Sequence, residues 1–232
     1  MLPVNESQVC TTKRGQNRMD TDMRKFAADA DNPAFPEPIR ARLRVVAETA
    51  TKNLEAINAG RRKVFDSVKR DGNALLRSPK SKVEKVYAIW ALADRFYAST
   101  GKNVACKRGC SHCCHVAVAV TVPEAEAIGK RIGRIPRKVP LRMDAKIGVE
   151  SGYHNPCTFL RNGECSIYAN RPLACRIQYS LDVDALLCEL GPIPSPVPYM
   201  NPLDMNMLLL KALEPTSPDC VADIREFFPP KK

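Results

Sequence analysis

The sequence lacks the features of a membrane or exported protein. No window offers the roughly 18 uninterrupted apolar residues of a membrane span. The first twenty residues, MLPVNESQVCTTKRGQNRMD, have no continuous apolar region behind their basic residues. We therefore expect a cytoplasmic protein with no membrane partner. Its 232 residues, 44% of them hydrophobic, suffice for one sizeable globular domain or for one core with a helical extension.

Several common functional motifs are also absent. The sequence contains no glycine-rich nucleotide loop, no P-loop and no HExxH helix. It has neither an RNP-like aromatic strand nor a helix-turn-helix pattern, although its formal net charge is +11. Most of the positive excess lies in residues 1–105. This basic N-terminal region is the candidate surface for an acidic protein or a nucleic-acid partner.

Cysteine, in contrast, is abundant: there are ten, and eight of them form two groups of four. The first group lies within ACKRGCSHCCHV, residues 105–116, and the second begins 42 residues after it ends. The eight are Cys106, Cys110, Cys113, Cys114, Cys157, Cys165, Cys175 and Cys188. In a reducing compartment, such clusters hold metal or perform redox chemistry more often than they form disulfides. We expect the remaining two, Cys10 and Cys220, to be ordinary buried or tail residues.

The cysteine spacing predicts a metal site but leaves the metal open. Short C-x2-C and C-x3-C spacings let one turn present two sulfurs to a single ion. Two tetrahedral zinc sites with four cysteines each would use all eight, so zinc, up to two ions, is the metal we expect. Iron or an iron–sulfur cluster is the alternative, because such a cluster also takes four thiolates and C-x3-C-x2-C can surround three of its corners.

Two cysteines in the first group are adjacent, which constrains their roles. The side chains of Cys113 and Cys114 should diverge, by about 100° in a helix and toward opposite faces in a strand. We predict that they serve two different metal centres, or that one is a ligand and the other a free, reactive thiol. A free thiol beside a zinc centre would make a redox sensor. His112 and His115 are alternative ligands that could each replace a thiolate.

The apolar pattern predicts a mainly α fold with a small β-hairpin, in which an N-terminal helical hairpin joins an irregular cysteine-rich core organised by metal. The predicted segments are a flexible basic tail (1–35), the helical hairpin region (36–103), the cysteine-cluster metal-binding domain (104–190), and a Pro-rich connector with a C-terminal helix packed on the core (191–232).

Local signals refine this organisation. The first helix should run from Ile39 toward a stop signal at Asp71-Gly72, with a possible interruption at Gly60. Further signals are a capping box at Ser81 and Glu84, another at Thr121 and Glu124, a hairpin turn at Asn162-Gly163 with a cysteine starting each strand, and a final helix from Asn201-Pro202.

The stretches ACKRGCSHCCHVAVAVTVPEAEAI and PCTFLRNGECSIYANRPLACR resemble the YkgJ-type cysteine-cluster family, the CxxCxxCC zinc- or iron-chelating domain. The resemblance spans residues 104–190 and includes the family signature from Cys165 to Arg176. It implies metal binding with no general reaction attached. Some members are similar to flagellin lysine N-methylase, which implies an iron–sulfur-dependent protein-modifying enzyme as an alternative. Within the signature, Arg171 and Arg176 could donate to thiolates or offset their charge, or form surface salt bridges.

Overall fold

A computed structural model describes residues 26–143, 152–200, 203–214, 217 and 219–230 of the chain. Its longest element is helix α1 (Glu37–Leu76), which buries Leu43, Val46 and Ala50 along one side. These positions are three or four residues apart, the spacing that brings side chains onto one face of an α-helix. The periodicity of the sequence is therefore confirmed for this helix.

The predicted stop of α1 at Asp71-Gly72 is wrong. The helix is continuous at Gly60 and ends at Leu76. A Cβ atom built on Gly72 would lie 3.0 Å from the Leu208 side chain. The glycine thus allows close packing of a later helix against α1, a tertiary role that a local pattern does not reveal.

Helix α2 (Lys82–Ala98) packs against α1, which confirms the helical hairpin. Its predicted capping box is present: the Ser81 side chain accepts a hydrogen bond from the Glu84 amide, and the Glu84 carboxylate accepts one from the Ser81 amide. Both exchanges satisfy amides that the first turn of a helix leaves without partners.

The end of the predicted flexible tail is packed on α1. Residues 26–29 form a helical turn, and Phe26 and Phe35 are buried in a small cluster with Leu43 and Leu187. Ordered structure therefore extends at least as far back as Phe26. The rest of the predicted tail, including Cys10, lies outside the described residues.

The fold is mainly helical, as predicted. The later helices are α3 (Val122–Ile132), α4 (Leu173–Ile177), α5 (Leu203–Leu213) and α6 (Ile224–Phe227). The strands are β1 (Ala119–Thr121), β2 (Leu160–Arg161), β3 (Glu164–Cys165), β4 (Tyr179–Ser180), β5 (Tyr199–Met200) and β6 (Val221–Asp223). Within the described residues they form three antiparallel pairs, β1 with β6, β2 with β3 and β4 with β5. No helix of this part of the chain is long and apolar enough to cross a membrane.

The hairpin of β2 and β3 confirms the turn predicted at Asn162-Gly163. Both turn residues have positive φ, 49° and 76°, as a two-residue hairpin turn requires. The cysteines are placed differently from the prediction. Cys157 precedes β2 by three residues and Cys165 ends β3, so neither starts a strand.

The second predicted capping box forms only in part. Thr121 caps α3 by accepting a hydrogen bond from the Glu124 amide. The buried Glu124 carboxylate instead accepts from the Trp90 indole N–H at 3.2 Å and the Leu173 amide at 2.9 Å. It thereby joins α2, α3 and α4 behind the cysteine-rich region. The final helix α5 is present, but its predicted start at Asn201-Pro202 lies outside the described residues.

Candidate metal centre

All eight cysteines of the two groups line one cavity of about 80 Å³. The same cavity is lined by residues of α2, the β2–β3 hairpin, α4 and the β4–β5 pair. No Asp or Glu occurs among its described lining residues. Soft thiolate donors suit zinc, iron and copper, whereas magnesium and calcium prefer carboxylate and other oxygen donors. The donor set therefore fits the metals that the sequence predicts.

The first group is held by a short loop and a single 3-10 turn. Cys113 and Cys114 lie in the turn His112–His115, where the Cys114 amide donates to the Ser111 carbonyl at 2.9 Å. The loop before it is fixed to α2, because the Tyr97 hydroxyl donates to the Cys106 carbonyl.

The second group comes from four separate elements. Cys157 precedes the hairpin, Cys165 ends β3, Cys175 lies in α4 and Cys188 ends the 3-10 turn Leu186–Cys188. A backbone hydrogen bond of 2.7 Å from the Cys157 amide to the Cys114 carbonyl joins the two groups directly. The fold thus collects onto one cavity cysteines that are up to 82 positions apart, Cys106 and Cys188 being the most distant.

Backbone amides donate hydrogen bonds to several of the sulfurs. The sulfurs of Cys110, Cys157 and Cys165 each accept a hydrogen bond from the amide two residues further along the chain. A donor aimed at sulfur stabilises the thiolate and lowers the thiol pKa. These turns are therefore arranged to support negative charge on sulfur.

Burial has the opposite effect on the thiols and is the larger one. It raises the pKa of Cys106 and of Cys157 to about 11, and that of Cys188 to about 12. Burial also raises the pKa of the Cys175 thiol well above its usual value. These thiols are protonated at neutral pH, so each must release a proton when it becomes a metal ligand.

The side chains of the adjacent residues Cys113 and Cys114 do not point away from each other, as they would in a regular helix or strand. Both sulfurs line the cavity, and the Cys114 thiol donates a hydrogen bond to the Cys113 sulfur. This bond lowers the pKa of Cys113 to about 7 and raises that of Cys114. Cys113 is nevertheless exposed as a residue, while its sulfur faces the cavity. Whether the two serve different ions stays a prediction.

The sulfurs lie on the wall of the cavity, not around a single point. Among the described residues, no three His, Cys, Asp or Glu side chains converge closely enough to hold an ion. Metal binding would therefore require the thiols to turn inward. Loss of their protons is the change that permits it, because only thiolates are good ligands.

Arg171 and Arg176, the two arginines of the signature, are buried, and both form ion pairs with the half-exposed Asp94. Arg176 is 2% exposed, donates to the Arg171 carbonyl at 2.8 Å and pairs with Asp94. Arg171 lines the cavity and donates to the Cys175 carbonyl at 3.2 Å. Burial raises the pKa of Cys165, and the positive charge of Arg171 opposes that rise, in keeping with the predicted charge-offsetting role. Within the part of the chain that the structure describes, their hydrogen bonds reach carbonyls and a carboxylate, not sulfur.

Of the two histidines that the sequence offered as ligands, one lines the cavity, and two tyrosines that it did not predict line the cavity as well. His112 lines the cavity, whereas His115 does not, and its buried Nδ1 has no hydrogen-bond partner. Tyr179 and Tyr199 also line the cavity, although nothing in the sequence singled them out. They are placed there by the β4–β5 pairing, in which Tyr199 lies opposite Ser180. No local pattern signals such a distant pairing.

This fold and its thiol-lined cavity agree with the comparison to known families. Residues 105–189 match the model of the CxxCxxCC family, described as a "putative zinc- or iron-chelating domain". The YkgJ-type label refers to the same family. The match confirms the resemblance seen in the sequence and supports metal binding without determining the metal. No curated protein and no solved structure matches the chain.

Proposed function

We propose that this chain is a metal-chelating protein that binds zinc, up to two ions, through the eight cysteines of the cavity. The observation that carries the proposal is the gathering of eight sulfurs on one cavity with no carboxylate among the lining residues. Sulfur-only coordination is typical of structural zinc, which takes four ligands in a tetrahedron. The description of the matched family points to the same class of metal.

The proposed metal has a structural role. Zinc with four thiolates has no open position for water, so it stabilises a fold and does not activate a nucleophile. The cysteine domain is the part of the chain that needs such stabilisation, because its strands are two or three residues long. Binding energy at such a site contributes directly to folding.

Elemental analysis of protein purified without oxygen, together with its visible spectrum, tests this proposal. We expect about two zinc ions per chain and a colourless solution. Cys165→Ser should reduce the zinc content, whereas Ser166→Ala should not, because the Ser166 hydroxyl binds the Phe159 carbonyl and does not line the cavity. Stoichiometric iron with labile sulfide and a brown colour would show that the chain binds an iron–sulfur cluster instead of zinc. That result would favour a protein-modifying enzyme. A chain with no bound metal would contradict the proposal.

The hydrogen bond that the Cys114 thiol donates to the Cys113 sulfur favours a second candidate function, thiol-based redox sensing, because it stabilises the Cys113 thiolate, the form that peroxide oxidises. Hydrogen peroxide can oxidise two ligand thiolates to a disulfide, with two protons taken up and two water molecules formed, and the ion is then released. Zinc release on mild peroxide treatment, measured with a metal-sensitive dye, tests this candidate. Release should be fast in the natural chain and slower in Cys113→Ser. Zinc that is fully retained at peroxide concentrations that oxidise free thiols would remove it.

A further inference from the structure

The eight cysteines separate into two sets according to what they pack against. One set belongs to the main hydrophobic core or packs on it, and we call it the inner quartet: Cys114, Cys157, Cys165 and Cys175. The other four are not part of that core or packed on it in the described residues, and we call them the outer quartet: Cys106, Cys110, Cys113 and Cys188. This division differs from the order of the cysteines along the chain, because Cys114 and Cys188 have exchanged places.

Hydrogen bonds connect the members of each quartet. In the outer quartet, Ser180 donates twice: its amide to the Cys106 sulfur at 3.3 Å and its hydroxyl to the Cys188 sulfur. In the inner quartet, the Cys157 amide donates to the Cys114 carbonyl at 2.7 Å. Chain segments that are distant in sequence are thus fixed side by side within a quartet.

The electrostatic neighbours of the thiols support the same division. The Cys188 pKa is raised by Cys106, Cys110 and Cys113, all from the outer quartet. Cys113 acts on both quartets, because it also raises the pKa of Cys114, of Cys165 and of Cys175. That position is expected for the residue whose neighbour in the chain is the first inner cysteine.

We propose that the cavity contains two four-thiolate metal centres with interleaved ligands, one formed by the inner quartet and one by the outer quartet. The inference rests on the proposed metal binding and specifies how the ligands are shared. The peptide bond between Cys113 and Cys114 joins the two centres. Each centre links the first cysteine group of the sequence to the second, so both ions cross-link the domain.

The chemistry of the two centres balances without a further reactant. Each Zn²⁺ takes four thiols and releases four protons, leaving a centre with a charge of about −2. Arg171 lines the same cavity as both quartets. Burial raises the pKa of Cys106 in the outer quartet and of Cys175 in the inner quartet, and the positive charge of Arg171 opposes the rise in both. Its guanidinium would therefore offset part of the negative charge of both centres.

Two double variants that each remove two thiols test the division. Cys110→Ser with Cys188→Ser takes both thiols from the outer quartet, whereas Cys110→Ser with Cys114→Ser takes one from each. We expect the first variant to retain about one zinc ion per chain and the second to retain fewer, with both centres damaged. If ligands followed sequence order, the two results would be reversed.

Alkylation with N-ethylmaleimide and peptide mapping identifies which thiols remain bound. In the zinc-loaded Cys110→Ser, Cys188→Ser variant, Cys106 and Cys113 should react while the inner quartet stays protected. Reaction of Cys157, Cys165 and Cys175 in this variant, with full protection in the natural chain, would overturn the division but not metal binding. Reaction of all eight thiols in the natural chain, with no bound metal, would overturn the proposed function itself. The first variant leaves the core-packed thiols intact, so the test does not depend on the folding of the second.

Discussion

The helical hairpin and the cysteine domain differ in the regularity of their secondary structure and therefore in how they are stabilised. Helices α1 and α2 contain 40 and 17 residues and bury a periodic apolar face. The cysteine domain, residues 105–189, has strands of two or three residues and several single 3-10 turns. Regular helices satisfy their own backbone groups, whereas short irregular segments must find partners elsewhere.

In the cysteine domain those partners include charged side chains. Arg225 donates to the carbonyls of Cys114, Val116 and Asn155, and Arg176 donates to those of Arg171 and Ala169. Such contacts hold a loop in place only when the rest of the structure has already brought the loop and the side chain together. The comparison teaches that a periodic apolar face stabilises the hairpin, whereas the irregular cysteine domain combines its share of the hydrophobic core with the cross-links that the proposed metal centres would supply.

The largest expected effect is that of metal removal. A strong chelator should destabilise the cysteine domain by about 10 kcal/mol for each structural zinc, because binding energy at such sites is folding energy. Hydrogen exchange should accelerate at the amides of residues 157–188 far more than in α1. Equal exchange in both regions with and without metal would show that the domain does not depend on cross-links.

A smaller effect is expected from the buried arginine. Arg176→Ala should cost about 3 kcal/mol in urea unfolding, because the carbonyls of Arg171 and Ala169 lose a buried donor. The matched control is Arg95→Ala, which removes a half-exposed pair with Asp71 in the hairpin and should cost less than about 1 kcal/mol. Equal losses of unfolding free energy in the two variants would contradict the expected difference between the cysteine domain and the hairpin.

Glu124, which joins the two regions, predicts a pH-dependent effect. Burial raises the pKa of its carboxyl group. The folded chain therefore holds this proton more tightly than the unfolded chain, and the resulting stability is present at low pH and lost as the pH rises through the folded-state pKa. Urea unfolding at pH 4 and pH 8 should show Glu124→Gln gaining on the natural chain as pH rises. Metal binding adds a pH dependence to both chains, so only their difference is read. A constant difference would contradict the assignment.

The smallest effect concerns the hairpin alone. An added Cβ at Gly60 meets no atom within 4 Å, so Gly60→Ala should stabilise the chain by about 0.5–1 kcal/mol and leave metal affinity unchanged. Gly72→Ala is the control, since its Cβ would lie 3.0 Å from Leu208 Cδ2 and the gain should disappear. Both are measured by urea unfolding. A change in metal affinity on Gly60→Ala would show that the two regions are coupled.

The sequence predicts what adjacent residues encode. The apolar period of α1, the Ser81 capping box and the Asn162-Gly163 turn are local patterns, and each is found where expected. Its cysteine spacing also identified all eight cysteines that line the cavity.

Contacts between distant residues were not predictable. The pairing of Ala119 with Asp223 joins residues more than a hundred positions apart, with no local signal in either. Likewise, the sequence indicated a helix stop at Gly72, whereas the glycine is the place where Leu208 packs against the helix. The division into inner and outer quartets has the same origin, because it depends on which cysteines reach the core after folding.

X-ray absorption at the zinc edge of the purified protein tests the central claim most directly, because it reports the atoms bound to the metal. The account predicts about four sulfur ligands per ion at about 2.3 Å, with no nitrogen or oxygen at bonding distance. A first coordination sphere dominated by nitrogen or oxygen would contradict it, since the thiols of the cavity would then not be the ligands.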